Sequence, residues 1–434
     1  MKKIIKLLYY LQLIITLTTS VKILKLNFER NLTSNLTPNN LMSNLYNNDI
    51  FTYIKLGSNL EKIPISFKMN SFPFYIITSE TNQSKNIFFH NEKSTSYYKE
   101  KNDLNTNFTD QDFIKGKLSS ETIIFNNENS FQKIEKFNFI SITNINEKSI
   151  INEAGTIGLD IINSHFNLIH SDFILQLKNK QLINSFPFTF KYTDLKKEKG
   201  EFILGSLPEE YDKKYNVNKY KFSYSKFYID KPIWGLDLEN VYFNNEKINK
   251  LTDLCFFQIE IGLIISPNYE KEFFEKNFFN KNNCYEKNFI SEDFNHFNYF
   301  ICDSNVNIKK FNDIIFYNKN LDMNFTLNYN DLFYKFENKY YFLIVFYQNK
   351  RNYNWIFGSP FLKKYQMIFD KDKKIISIYE KDDNYNISFA YIIIFILIVI
   401  IIFLVFYIVF YLFKNKRKLR ANEIDENFEY LPQS

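Results

Sequence analysis

The chain has 434 residues, a formal net charge of +6 and 45% hydrophobic residues, enough for a sizeable core in two domains or one two-lobed unit. Only 9 Gly and 9 Pro occur, which excludes a collagen-like or low-complexity chain. Five cations sit together (Lys414, Lys416, Arg417, Lys418, Arg420), and without them the rest carries about +1, so a nucleic-acid-binding role has little electrostatic support. The 49 Phe and 31 Tyr favour strands, but they come with the Asn, Ile and Lys of an AT-rich coding bias. Position, not composition, therefore carries the fold reading.

At the N-terminus, Lys2, Lys3 and Lys6 precede an apolar stretch through Leu17 and then Thr18-Thr19-Ser20. That order of charge, apolar run and small residues is a secretory signal, with cleavage expected after Ser20 and an uncleaved anchor as the alternative. Residues 21–45 form an N-terminal segment. Short strand-like runs then recur at 52–56, 63–67, 74–77, 121–125, 137–142, 201–205, 341–346 and 375–379, against two short helical candidates at 171–179 and 268–278. Many short strands and few helices point to an all-β fold. Residues 381–388 read as a polar stalk. Residues 389–413 are an uninterrupted apolar run that, at 1.5 Å rise per residue, crosses a bilayer of about 30 Å. The cations after it set residues 414–434 as a cytoplasmic tail, and the tail's presence argues against a glycolipid anchor. The expectation is a single-pass type I protein of the secretory pathway or cell surface.

Sequons at Asn31, Asn35, Asn82, Asn107, Asn324 and Asn386 suit that topology, though an Asn-rich chain produces them readily. Three cysteines (Cys255, Cys284, Cys302) fall in the expected oxidising compartment and leave one unpaired. Four His and no CxxC spacing give no basis for a metal site, and no cofactor is expected; His165 and His170 read as surface or satisfied polar residues. Tyr430-Leu431, in an acidic tail, reads first as part of a disordered segment and second as a sorting signal.

Several local patterns, in order over residues 52–379, resemble the pepsin family of aspartic peptidases. Ala154-Gly155-Thr156-Ile157-Gly158-Leu159 resembles the family's GILGLG strand end, and Ser171-Asp172-Phe173-Ile174 the helix after it. Pro187-Phe188-Thr189-Phe190, Gly200-Glu201-Phe202-Ile203-Leu204-Gly205 and Trp234-Gly235-Leu236-Asp237-Leu238 follow as in the family. Trp355-Ile356-Phe357-Gly358-Ser359-Pro360-Phe361-Leu362 resembles its closing motif, and the stretch from Tyr365 to Asp370 the strand beyond. The resemblance implies two β lobes, residues 46–205 and 206–380, with a peptide-sized cleft between them.

It also implies two carboxylates, one per lobe, each opening an Asp-Thr/Ser-Gly turn and sharing one proton across a water. The matching positions read otherwise. In the first turn Lys68 stands at the Asp position, followed by Met69, Asn70 and Ser71; in the second Gln258 is followed by Ile259, Glu260 and Ile261. No Asp-Thr-Gly or Asp-Ser-Gly occurs anywhere. Thr109, or Phe108, falls near the flap tyrosine. By the same resemblance Cys302 occupies a family cysteine position; Cys284, 18 residues upstream, is its nearest partner, a closure that would stabilise by about 3 kcal/mol. Neither Lys nor Gln replaces a water-activating carboxylate, so the expectation is a catalytically inactive homologue that binds a protein or peptide in the cleft, or serves as a scaffold. The opposing reading is an active endopeptidase with misaligned motifs, using Asp49 or Asp253. Geometrically, Lys68 and Gln258 should meet at the cleft floor over Met69 and Ile259, with Lys68 reaching solvent or donating to the Gln258 side-chain oxygen or Glu260.

Overall fold

Two strand ends, at Lys68 and Phe257, fix the architecture, and each is framed by four strands paired in the same way. The computed structural model describes residues 22–30, 36–47, 49–69, 74–81, 88–107, 113–127, 130–145, 154–161, 166–212, 215–228, 231–249, 251–292, 294–348, 354–381, 396–401 and 403–413. In the first half, Glu61–Lys68 runs parallel to Gly155–Gly158, which pairs antiparallel with Tyr75–Ile77, which in turn runs parallel to Ser130–Ile145. In the second, Asp253–Phe257 runs parallel to Asn354–Phe357, which pairs antiparallel with Ile264–Ile265, which in turn runs parallel to Ile344–Tyr347. Strands buried on both faces must be apolar nearly throughout, and Tyr75–Ile77, Gly155–Gly158 and Ile264–Ile265 are buried at every position. Phe67 lies opposite Ile157, and Phe257 opposite Phe357, so the repeat places Lys68 and Gln258 in equivalent positions.

Between these halves runs a sheet built from distant parts of the chain, in the order Ile375–Lys381, Ile368–Asp370, Pro187–Asp194, Lys199–Leu204, Leu24–Arg30, Ile50–Leu56. Leu24–Arg30, in the segment expected ahead of the first lobe, is thus an internal strand. Of the two strands that close the second expected lobe, Ile368–Asp370 pairs with Pro187–Asp194 of the first, and Ile375–Lys381 pairs with Ile368–Asp370. Helix Leu41–Asn47 buries Leu41, Met42 and Leu45 against Leu263, Ile265 and Tyr299 of the second half. Trp234 seals the larger core, with its ring against Phe188 and Phe369 and its indole N–H donating to Leu159 O at 2.8 Å.

The all-β class expected from the strand pattern holds, with local differences. The expected strand 341–346 is two strands, Lys339–Phe342 and Ile344–Tyr347, because Leu343 leaves one ladder to bond Leu332 O and to accept from Ile264 N. The first expected helix starts at Phe173, where Asp172 caps it by accepting from Leu175 N at 2.9 Å. The second is Tyr269–Phe274 followed by a π turn, Glu275–Phe279. The first lobe's hairpin Phe113–Asn127/Ser130–Ile145 is far longer than the runs that announced it. A separate unit contains helix Ile396–Phe413, which is long and apolar enough to cross a membrane. Lys381, the expected start of the stalk, ends strand Ile375–Lys381; the signal, residues 382–388 of the stalk and the tail lie outside the described residues.

Candidate functional site

The first turn leaves the strand Glu61–Lys68 at Lys68. The hairpin with Ile50–Leu56 is in a register that sets Phe51 opposite Ser66 and Leu56 opposite Glu61. Continued two residues, that register puts Asp49 opposite Lys68. Lys68 Nζ lies 3.2 Å from Asp49 Oδ2, with the lysine side chain 39% exposed and the aspartate 11%. The ammonium thus reaches solvent, its charge acts on Glu260, and it meets an acceptor in Asp49. The reason is cross-strand geometry: residues opposite one another in a ladder are nearest neighbours. Met69 is fully buried. Asn70 and Ser71 lie outside the described residues.

The second turn is held from several sides. Gln258 N donates to Phe357 O at 3.1 Å, Gly262 N to Leu45 O at 2.8 Å, and Ser359 N to Ile261 O at 2.8 Å. Arg30, from the N-terminal strand, donates Nη1 to Glu260 O at 2.8 Å and Nη2 to Ile259 O at 3.2 Å, while its Nε pairs with Glu198. Lys363 Nζ meets the other oxygen of Glu198 at 2.7 Å. Burial works to raise the Glu198 pKa, but Arg30 and Lys363 outweigh it and hold it at about 2. The guanidinium fork suits this task, since a point charge could not serve a carboxylate and two carbonyls at once.

Gln258 is half-buried, whereas Ile259 and Ile261 are buried. Ile259 and Met69, matched by the resemblance to the family's crossing threonines, belong to one apolar core. Glu260, at the glycine position, accepts from Met69 N at 3.3 Å, so its carboxylate joins the two turns. Burial pushes its pKa up to about 7; Asp49 adds to the rise, and Lys68 and the Met69 amide oppose it.

Chemically, this centre differs from a proton-sharing dyad. The two equivalent positions of the repeat carry an ammonium and an amide. Of the carboxylates beside them, Asp49 is engaged by Lys68 and Glu260 by a backbone amide. Asp253, the other carboxylate considered in place of a catalytic Asp, begins the strand five residues before Gln258 and is bound to Tyr269 and Trp355 instead. Asp49 was legible from its hairpin register; Arg30, Glu198 and Lys363 gave no local signal.

Cys284 and Cys302 are joined by a disulfide, and Cys255 is free and fully buried. Burial pushes the Cys255 thiol pKa far up, which makes it inert. Asn324 is exposed on strand Met323–Leu327, and Asn107 ends strand Tyr98–Asn107. Thr109 and Phe108 fall between Tyr98–Asn107 and Phe113–Asn127 and, with Asn31, Asn35, Asn82 and Asn386, lie outside the described residues. His170 is exposed. No group of three or more potential metal ligands occurs among the described residues.

Two copies of one strand-crossing motif, each presenting a turn at an equivalent position, define a two-lobed, pepsin-like all-β protein. The family model for eukaryotic aspartyl protease matches residues 49–381, and the chain belongs to that family. No curated protein matches it.

Proposed function

We propose that this aspartyl protease domain is catalytically inactive and acts by holding a peptide or protein segment in its cleft, or by scaffolding a partner. The observation that carries this reading is the pair Lys68 and Gln258 at the two dyad positions, with Asp49 engaged by Lys68 at 3.2 Å. An acid peptidase needs one carboxylate to activate water and another to protonate the leaving amine; an ammonium and an amide supply neither. The apolar Met69 and Ile259 give the centre a packing role. We read the chain as type I, with a cleaved signal, a luminal or extracellular glycosylated domain and a cytoplasmic tail, on the apolar helix Ile396–Phe413 and the cations that follow it.

Full-length protein in detergent, incubated with a fluorogenic peptide library from acid to neutral pH, should cleave nothing. It should also not bind a statine-type transition-state analogue, whose affinity depends on the carboxylate pair. A photocrosslinking residue at position 258 should capture a peptide segment of a native partner. Pepstatin-sensitive turnover that survives substitution of Lys68 and Gln258 would overturn the reading.

A further inference from the structure

The second lobe buries a pair of carboxyl groups that neither turn uses. Asp253 is 7% exposed; both its oxygens accept from the Tyr269 hydroxyl at 2.7 Å, and Oδ2 also accepts from Trp355 Nε1 at 3.3 Å. Glu270, the next residue on helix Tyr269–Phe274, is 1% exposed, and neither of its carboxyl oxygens has a hydrogen-bond partner. The adjacent Tyr269 hydroxyl donates to Asp253 instead. A buried carboxylate without donors is unfavourable, and a second carboxylate close by makes it more so. Burial first, and the Asp253 charge second, push the Glu270 pKa up to about 9, against a smaller lowering by the Tyr269 hydroxyl.

Few charges face the pair. Tyr269 lies on the same helix, Asp253 and Trp355 on two neighbouring strands, and Lys247 acts on Asp253 from strand Glu246–Lys247. Lys271, next along the helix, is paired with Glu286 on strand Tyr285–Ile290. Among the described residues no third potential metal ligand completes a site here, which leaves a proton as the occupant. The position in the fold matters too. Asp253–Phe257 and Asn354–Phe357 run parallel with Cys255 opposite Trp355; the first leads into Gln258 of the second turn, and the second ends at Gly358, packed against that turn. Asp253, bonded to Trp355, therefore ties together the roots of the two strands that carry that turn.

We propose that Asp253 and Glu270 form a proton-holding pair, with Glu270 protonated in the folded protein, so that the second lobe is firmest in an acidic compartment and loosens as its surroundings approach neutrality. The sign follows from linkage. A carboxyl that binds its proton more tightly when folded leaves stability intact below its unfolded pKa and erodes it as pH rises toward its folded pKa.

Thermal unfolding of the full-length protein and Glu270→Gln in detergent, from pH 5 to 8, tests this. The wild type should lose about 5 °C more than the variant across that range, the two converging at pH 5. At pH 8, where Glu260 is largely ionised, calorimetry in buffers of differing ionisation enthalpy should count about one more proton released on unfolding in the wild type than in the variant. Equal slopes and equal proton counts would overturn the proposal, as would calcium or magnesium stabilising the wild type but not the variant at pH 8. Should Glu270→Gln not fold, the infrared spectrum of the wild type at pH 8 decides: a protonated carboxyl stretch supports the pair, and its absence sinks it.

Discussion

The two turns occupy equivalent places in a repeated strand pattern, yet they are secured by different physics. The first depends on its own hairpin: Lys68 extends a ladder and meets Asp49 at a partly exposed ion pair. The second is fastened by groups from far along the chain, with Arg30 holding two of its carbonyls and Leu45 a third contact. In a catalytic pair, both turns would have to present matched carboxylates and so obey matched constraints. On the inactive reading proposed above that matching constraint falls away, and the described ends of the two turns are held by unlike partners.

The largest expected effect lies at the second turn. Arg30→Ala removes two carbonyl hydrogen bonds and leaves Glu198, 5% exposed, with Lys363 alone. Breaking one side of such a buried charge cluster should cost about 3–5 kcal/mol, measured by denaturant unfolding of the full-length protein. Arg30→Lys should recover only part, because one ammonium cannot reach Glu198 and both carbonyls. Since the Glu198 pKa is lowered to about 2, its contribution is present above the unfolded carboxylate range and is lost as pH falls from about 4.5 toward 2. Glu198→Gln should flatten that acid limb.

Gly358→Ala comes next. A Cβ there would lie 2.2 Å from Leu263 O and 2.3 Å from Ile261 O, both backbone atoms of the turn. Relief requires the turn to shift, at about 1–3 kcal/mol. A wild-type melting temperature in Gly358→Ala would contradict the close packing of strand end against turn.

Much of this frame was legible in the sequence, and the reason is local. Each ψ-like crossing needs apolar strands, a glycine at the strand end and a short turn, all within a few residues, so Gly155-Thr156-Ile157-Gly158 and Trp355-Ile356-Phe357-Gly358 declare themselves. The ion pair at Lys68 was legible in principle, because counting back from the Gly57 turn reaches Asp49. The fastening of the second turn was not. Arg30 and Glu198 are 168 residues apart, and nothing near either announces the other. The same holds for Leu24–Arg30, whose place between Lys199–Leu204 and Ile50–Leu56 depends on pairing that no local pattern encodes.

Glu260→Gln addresses the bond between the turns. With its pKa raised to about 7, Glu260 favours folding most when protonated, and its contribution declines as pH rises from about 4.5 through 7. A neutral amide that still accepts from Met69 N should therefore leave stability unchanged at pH 4 and raise it by about 1 kcal/mol at pH 8. Destabilisation at pH 8 would mean that the charged form is the one the turns require.

The smallest effect is expected at Lys68, where the difference between the turns is most directly read. Its side chain is 39% exposed, so water screens the pair with Asp49, and Lys68→Met should cost less than about 1 kcal/mol. Lys68→Asp should cost more than Lys68→Met at neutral pH, because it sets two carboxylates opposite each other across the ladder, and less as acid protonates one of them. Adding Asp49→Lys to Lys68→Asp restores opposite charges in swapped order and should recover most of the loss, a double-mutant cycle that isolates the pair. The swap also puts an aspartate at the position matched to the family's first catalytic Asp, while Gln258 stays at the equivalent position of the second turn. If the swapped protein regains stability without gaining peptide cleavage, Lys68 and Asp49 serve the hairpin; appearance of turnover would show that the first turn alone had withheld the chemistry.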